Sequence, residues 1–190
     1  MISSGLHKVI FIFLFAALIS VSNSCTLHFR PSAQKQTPEP KAEASNLLPN
    51  PTGFVNDYAA VFDSDSKSRL ESLLARLKEK ANIEFAVVTV NTTNGQPIFD
   101  YSLAVAKQWG VGPKDSSQGG GLLLMLAVQD REWRLQVSRS LEKDLPDDIC
   151  KQLGEESTAL YHQGRYVEGI EKYVNALIRR LEETRKFSMS

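Results

Sequence analysis

Gly119-Gly120-Gly121-Leu122-Leu123-Leu124-Met125-Leu126-Ala127-Val128-Gln129-Asp130-Arg131-Glu132-Trp133-Arg134-Leu135-Gln136-Val137-Ser138 decides the fold class of this chain. Residues 122–128 are an unbroken apolar run, far shorter than the ~20 residues of a membrane-spanning helix. A glycine triplet precedes the run and a polar turn follows it. Such a run suits a central strand covered on both faces, and a buried helical segment has the same pattern. After the polar break at 129–132, Trp133, Leu135 and Val137 alternate with Arg134, Gln136 and Ser138. That is the period of a strand with one wet face. Two strands so close in sequence pair as an antiparallel hairpin. Polar chemistry is expected where this hairpin ends, at residues 142–148.

Upstream, Leu70, Leu73, Leu74, Leu77 and Ala81 form one helical stripe, opened by Asp63 or Ser64 as the cap. Residues 83–90 are β-branched and apolar apart from Glu84 and Thr89, which predicts the first interior strand. Asn94-Gly95 marks a turn and Pro97 starts a helix with a stripe of Ile98, Tyr101, Val105 and Trp109, ended by Gly110. Residues 53–62 read as a segment laid against the core ahead of the first helix. Downstream, Pro146 sits at the first turn of a third helix, with Asp147 and Asp148 favourable at its dipole end. Ile149, Leu153 and Leu160 predict its apolar face, and Gly164 breaks it. A last helix presents Val167, Ile170, Val174, Leu177, Ile178 and Leu181. The order is helix, strand, helix, strand, strand, helix, helix, which predicts a three-layer α/β/α sandwich with a small mixed sheet.

The chain of 190 residues accommodates one domain plus appendages. Residues 1–24 read as an export signal: a weakly basic start at His7 and Lys8, an apolar core over 9–19, and small residues before Cys25. Cys25 after a small residue resembles the lipidated cysteine of bacterial lipoproteins, with Ser22 standing where those usually have Leu, Val or Ile. Residues 25–48 carry scattered prolines and charges and read as a flexible tether. The domain is expected over 49–184, with 185–190 as a frayed tail. The protein is thus expected to be exported and membrane-tethered, on the periplasmic or extracytoplasmic side. Cys150 is the only other cysteine; a small buried thiol on a helix is preferred over a disulfide to the tether. Basic and acidic residues balance at 22 each, so no overall field favours nucleic acid.

Four segments resemble the TPM domain family, also called the TPM phosphatase family. Gly53-Phe54-Val55-Asn56-Asp57-Tyr58-Ala59 is similar to its opening G-x-V-N-D-x-A motif. Trp109-Gly110-Val111-Gly112 is similar to its W-G-I-G loop. Leu141-Glu142 with Leu145-Pro146-Asp147 is similar to its G-L-E-x-x-L-x-D motif. The segment from Gln163 and Gly164 to Gly169 and Ile170 is similar to its late G-x-Y-x-x-G-I segment. The resemblance implies an α/β/α sandwich, often membrane-tethered; some members bind calcium, a plant member assists photosystem II repair, and weak acid phosphatase activity has been attributed to the family. Two departures bear on this. Gln118-Gly119-Gly120 replaces the family's Asp-Asn-Gly, and Ser138-Arg139-Ser140 replaces its Gly-Tyr-Gly.

The candidate acidic set is Asp57, Glu142, Asp144, Asp147 and Asp148. A calcium ion wants six to eight oxygens, and Asp57, Glu142, Asp147 and Asp148 are the expected metal ligands if the loops converge. The bland reading is that Asp147 and Asp148 only favour a helix end while Glu142 is solvated. Asp57, Glu142 and Asp147, with Arg139 on the phosphate, are the candidates for a metal-dependent phosphomonoesterase. Asp63-Ser64-Asp65-Ser66-Lys67 imitates an aspartyl-phosphatase loop, but a helix follows at once and no strand precedes it, so it reads as a cap. The glycine triplet has no Walker lysine and reads as a close-packed strand opening. Of three histidines, His7 lies in the signal, His28 in the tether and His162 at a helix end, so a Ser-His-Asp triad or histidine zinc site lacks ingredients. Three functions follow: a non-catalytic accessory module binding other envelope or membrane proteins, a weak metal-dependent acid phosphatase, or a structural calcium-binding module. The lost Asp-Asn pair and the missing nucleophile–base pair favour the first.

Overall fold

The computed structural model describes residues 47–113 and 119–190. In chain order these form β1 (Val55–Asp57), α1 (Ser64–Ala81), β2 (Ile83–Val90), α2 (Ile98–Trp109), β3 (Gly120–Ala127), β4 (Glu132–Val137), α3 (Asp147–His162) and α4 (Tyr166–Arg185). The apolar run that left strand and helix open is β3, buried along its whole length. The sheet runs β1-β2-β3-β4, parallel across its first two pairs and antiparallel in the β3–β4 hairpin. One element was not foreseen. The segment before α1 contributes a short parallel edge strand, with Val55 opposite Val87 and Asp57 opposite Thr89.

Alternation along β2 and β3 separates two cores. Ile83, Phe85, Val87, Leu122 and Leu124 face α1 and α4, while Ala86, Val88, Leu123 and Met125 face α2. That is the expected three-layer α/β/α arrangement with a small mixed sheet. The β1-α1-β2 and β2-α2-β3 crossovers step the same way across the sheet yet put their helices on opposite faces. They are therefore of opposite hand, and one is the rare left-handed kind.

The helix ends follow local chemistry. Asp63 caps α1 by accepting from the Ser66 N–H at 2.8 Å and the Ser66 hydroxyl at 2.7 Å. Gly110, at φ 65°, closes α2 in the left-handed conformation that suits glycine. The inward face of α3 differs from the expected one. It is built from Cys150, Gly154, Ser157, Leu160 and Tyr161, whereas Leu153 is only partly buried. Small residues there let Trp133 and α4 approach closely: a Cβ on Gly154 would lie 2.6 Å from the Trp133 ring.

Both ends of the domain extend past their expected limits. Gln108 donates to the Leu48 carbonyl at 2.7 Å and accepts from the Leu47 N–H at 3.0 Å, so these tether residues dock on α2. The tail expected to fray from residue 185 instead turns back. Phe187 and Met189 pack on the core, and the Met189 N–H donates to Glu182 at 2.7 Å. Among the described residues no helix is long and apolar enough to cross a membrane. The signal segment, Cys25 and the tether up to residue 46 lie outside the described residues.

Candidate functional site

The register places the acidic candidates at two ends of the sheet. Asp57 ends β1, in the row that runs through Thr89 and Leu126 to Trp133. β4 runs the opposite way and ends at Val137, about 13 Å further along at ~3.3 Å per residue. The following loop stays there, because Leu141 packs on Gly120 at the start of β3. Glu142, Asp147 and Asp148 are therefore remote from Asp57, and the expected convergence does not occur.

Asp57 is occupied by its own loop. Its carboxylate accepts the N–H of Val61 at 3.1 Å and of Phe62 at 3.0 Å, and the Thr89 hydroxyl donates to it as well. Thr89 in turn accepts the Ala59 N–H at 3.3 Å. At the same end Asp130 accepts from the Thr93 N–H at 2.8 Å and the Thr92 hydroxyl at 2.9 Å. The Thr93 N–H, then the Thr92 hydroxyl, hold the Asp130 carboxyl below its ordinary range. These carboxylates staple loops together where an open α/β sheet usually offers its ligand crevice.

At the opposite end Glu142, Asp147 and Asp148 are exposed, and Arg139 is exposed with no hydrogen bond or ion pair among the described residues. Asp144 is engaged: Arg185 donates to its carboxylate at 2.7 Å and to the Ser140 carbonyl at 2.5 Å. Among the described residues no group of three or more His, Cys, Asp or Glu could hold a metal ion. The donor set does not fit a calcium cage, which needs several carboxylate and carbonyl oxygens on one centre. Cys150 is buried on α3 and forms no disulfide among the described residues; Cys25, the alternative partner, lies outside them. Burial, with Asp147 adding, pushes the Cys150 thiol up to about 11, which leaves it inert at neutral pH.

Three of the four family-like segments have a structural task set by their contacts. Gly53 leaves room for Glu71, whose carboxylate accepts the N–H groups of Phe54 at 2.9 Å and Val55 at 2.8 Å. Asn56 is buried and closes its loop through the Thr52 N–H and the Gly53 carbonyl, both at 2.9 Å. Gly112, at φ 114°, lies against Gly121, and side chains on the glycine triplet would collide with Asn82, Leu141 and Val111. Leu141 and Leu145 are core residues. Ser138, in the position of a family glycine, accepts the Gly121 N–H at 2.9 Å.

A TPM domain profile matches residues 55–180, two thirds of the chain. The chain belongs to the TPM domain family. The N-terminal domain of a Porphyromonas gingivalis protein is similar in structure at TM-score 0.63 and 28% identity, over 72% of this chain and 86% of that one. The N-terminal domain of a Corynebacterium glutamicum protein matches at TM-score 0.54 and 15% identity, over 75% and 87%. The BA42 protein of the psychrophile Bizionia argentinensis matches at 0.50 and 18%, over 63% and 83%. The last two speak to the fold alone. No curated protein matches the sequence.

Glu71, Thr89, Asp130 and Arg185 were not among the sequence candidates. Each acts through a partner far away in the chain, so no local spacing marks it.

Proposed function

We propose that this TPM domain is exported, held at the membrane through Cys25 and its proline-bearing tether, and serves as an accessory module that binds other envelope or membrane proteins. The observation that carries this reading is the dispersal of the carboxylates. Asp57 is saturated by its own loop at one end of the sheet, while Glu142, Asp147 and Asp148 stand exposed at the other. A phosphomonoesterase would need a nucleophile or metal-bound water, a proton donor and a phosphate clamp within a few ångströms of one point. The catalytic candidates Asp57, Glu142, Asp147 and Arg139 do not meet that requirement, and a calcium module built on the same carboxylates meets the same obstacle.

The test has two arms. A purified fragment of residues 45–190 is expected to show no saturable hydrolysis of p-nitrophenyl phosphate with either calcium or magnesium. Full-length Cys25→Ser is expected to move from the membrane fraction to the soluble one, or to stall as precursor. Saturable turnover that disappears in Asp147→Asn would overturn the binding-module reading. A mature chain without lipid on Cys25 would overturn the tether.

A further inference from the structure

The two edges of the sheet are treated differently. At the β1 edge the strand is three residues long, and Glu71 occupies the N–H groups of Phe54 and Val55. At the other edge β4 has six residues, with Leu135 buried in the middle, and among the described residues no side chain takes its outward N–H groups. The Ser138 N–H donates to the Gly121 carbonyl at 2.9 Å and the Gly121 N–H to the Ser138 hydroxyl, so that pair faces inward. Alternation then turns the backbone groups of Glu132, Arg134 and Gln136 toward β3 and those of Trp133, Leu135 and Val137 outward. No hydrogen bond from the described residues reaches these outward groups. An unpaired strand edge is a template for another chain.

A cleft and an exposed aromatic ring adjoin this strand on its two faces. A cleft of about 330 Å³ lies between β4 and the first turns of α3, with Leu135, Val137, Cys150 and Lys151 among its walls. On the other face Phe99 is 45% exposed, with the Arg134 guanidinium 4.8 Å above its ring. The buried Nε of Arg134 has no hydrogen-bond partner among the described residues. In the cleft wall Lys151 and Asp147 offset each other, which leaves the Arg134 guanidinium over Phe99 as a cation with no ion pair among the described residues.

We propose that the open edge of β4 binds an extended segment of a partner protein by strand addition, and that this segment alternates apolar with acidic side chains. The apolar ones enter the cleft over Leu135 and Cys150, and the acidic ones face Arg134 beside Phe99. A second copy fits less well. In the register of longest overlap, about Leu135, two β4 strands set Arg134 opposite Gln136 and Glu132 opposite Ser138; the register about Trp133, which does bring Glu132 to Arg134, pairs only residues 132–134 of each strand. The inference rests on the binding-module reading and names its partner class.

The test is amide exchange by NMR on residues 45–190, with capped peptides of about nine residues. One alternates Val with Glu, one alternates Val with Lys, and one is the Val–Glu peptide with alternate backbone nitrogens methylated. The Val–Glu peptide is expected to slow exchange at Trp133, Leu135 and Val137 by about tenfold or more, and the other two are not. Arg134→Gln, which keeps the strand, is expected to weaken that binding by about fivefold or more. Absence of protection at these three amides with millimolar Val–Glu peptide would overturn the proposal. So would protection that needs no peptide and grows with protein concentration, because the occupant is then a second copy. Peptide protection confined to α1 and α4 would sink the β4 edge and leave the binding-module reading standing; phosphatase turnover would do the reverse.

Discussion

The guanidinium of Arg185, the last residue of α4, donates to the Asp144 carboxylate across 2.7 Å. This closes the end of the chain's final helix onto the loop that follows β4. The pair is mostly sheltered, with side-chain exposures of 27% and 17%, so it is worth more than an open surface bridge. Arg185→Ala is expected to cost about 1–2 kcal/mol in urea unfolding, since a charged hydrogen bond and the Ser140 carbonyl contact are lost together. A change below ~0.5 kcal/mol would mean that the tail frays in solution after all.

Asp57 and Asp147 should behave as unrelated residues. Asp57→Asn removes one of two acceptors for the N–H groups of Val61 and Phe62, and is expected to cost about 1–3 kcal/mol. Asp147→Asn, on an exposed first turn, should cost only a few tenths up to ~1 kcal/mol through the helix dipole. Because the two stand at opposite ends of the sheet, millimolar calcium should leave the melting temperature of all three proteins unchanged. A calcium-dependent rise that both substitutions abolish would put the two carboxylates on one ion, against the register of β1 and β4.

Asp130 gives a prediction in pH. Its folded carboxyl is held below the usual carboxylate range, first because the Thr93 N–H favours the ionised form and then through the Thr92 hydroxyl. A depressed folded value contributes stability above the unfolded value, and that stability is lost as pH falls through the folded one. As pH falls through the ordinary carboxylate range of about 4 and below, the wild-type domain should therefore lose stability more steeply than Asp130→Asn does. Thermal melts from neutral pH to pH 2 read the difference. Parallel acid limbs in the two proteins would show that the Thr92–Thr93 loop gains nothing from this carboxylate.

Most of the fold was legible because its signals are periodic. The stripe of Leu70, Leu74 and Leu77, the β-branched run over 83–90 and the alternation from Trp133 to Val137 each state which face is buried. β1 was not legible, since three residues are too few to show a period. The buried face of α3 was misread because Cys150, Gly154 and Ser157 carry little apolar weight, although their smallness is what the neighbours require. The wet face of β4 is also less open than its polarity suggests: Gln136 donates to the Phe99 carbonyl at 3.0 Å and to Ser102 at 2.8 Å. The expected convergence of Asp57 with Glu142 and Asp147 failed for a reason already present in the sequence. A hairpin reverses direction, so the loop after β4 returns to the end where the parallel strands begin.

The thiol of Cys150 should be silent in the folded domain. With its value pushed up to about 11 by burial, about one thiol in a thousand is ionised at pH 8. In a fragment lacking Cys25, a chromogenic disulfide reagent is expected to label Cys150 only at the rate of unfolding, and rapidly in urea. Fast labelling of the native fragment would show that the packing of α3 on β4 opens readily.

Gly154 sets two effects against each other. It is a helix-interior glycine in α3, and alanine there should gain about 1 kcal/mol of helix propensity. The new Cβ would lie 2.6 Å from Cη2 and 3.0 Å from Cζ2 of Trp133. That indole has little room to move, because it meets the Tyr173 ring edge-on at 5.1 Å and donates to the Thr158 hydroxyl at 3.1 Å. Overpacking a fixed ring costs about 1–3 kcal/mol, so the clash should outweigh the propensity gain. Gly154→Ala is therefore expected to be net destabilising by about 1–2 kcal/mol and to perturb tryptophan fluorescence. The double variant Gly154→Ala, Trp133→Phe removes the colliding part of the ring and should recover more stability than the two single changes predict by addition. Additive losses would place Trp133 away from α3 and take with them the floor of the cleft beside β4.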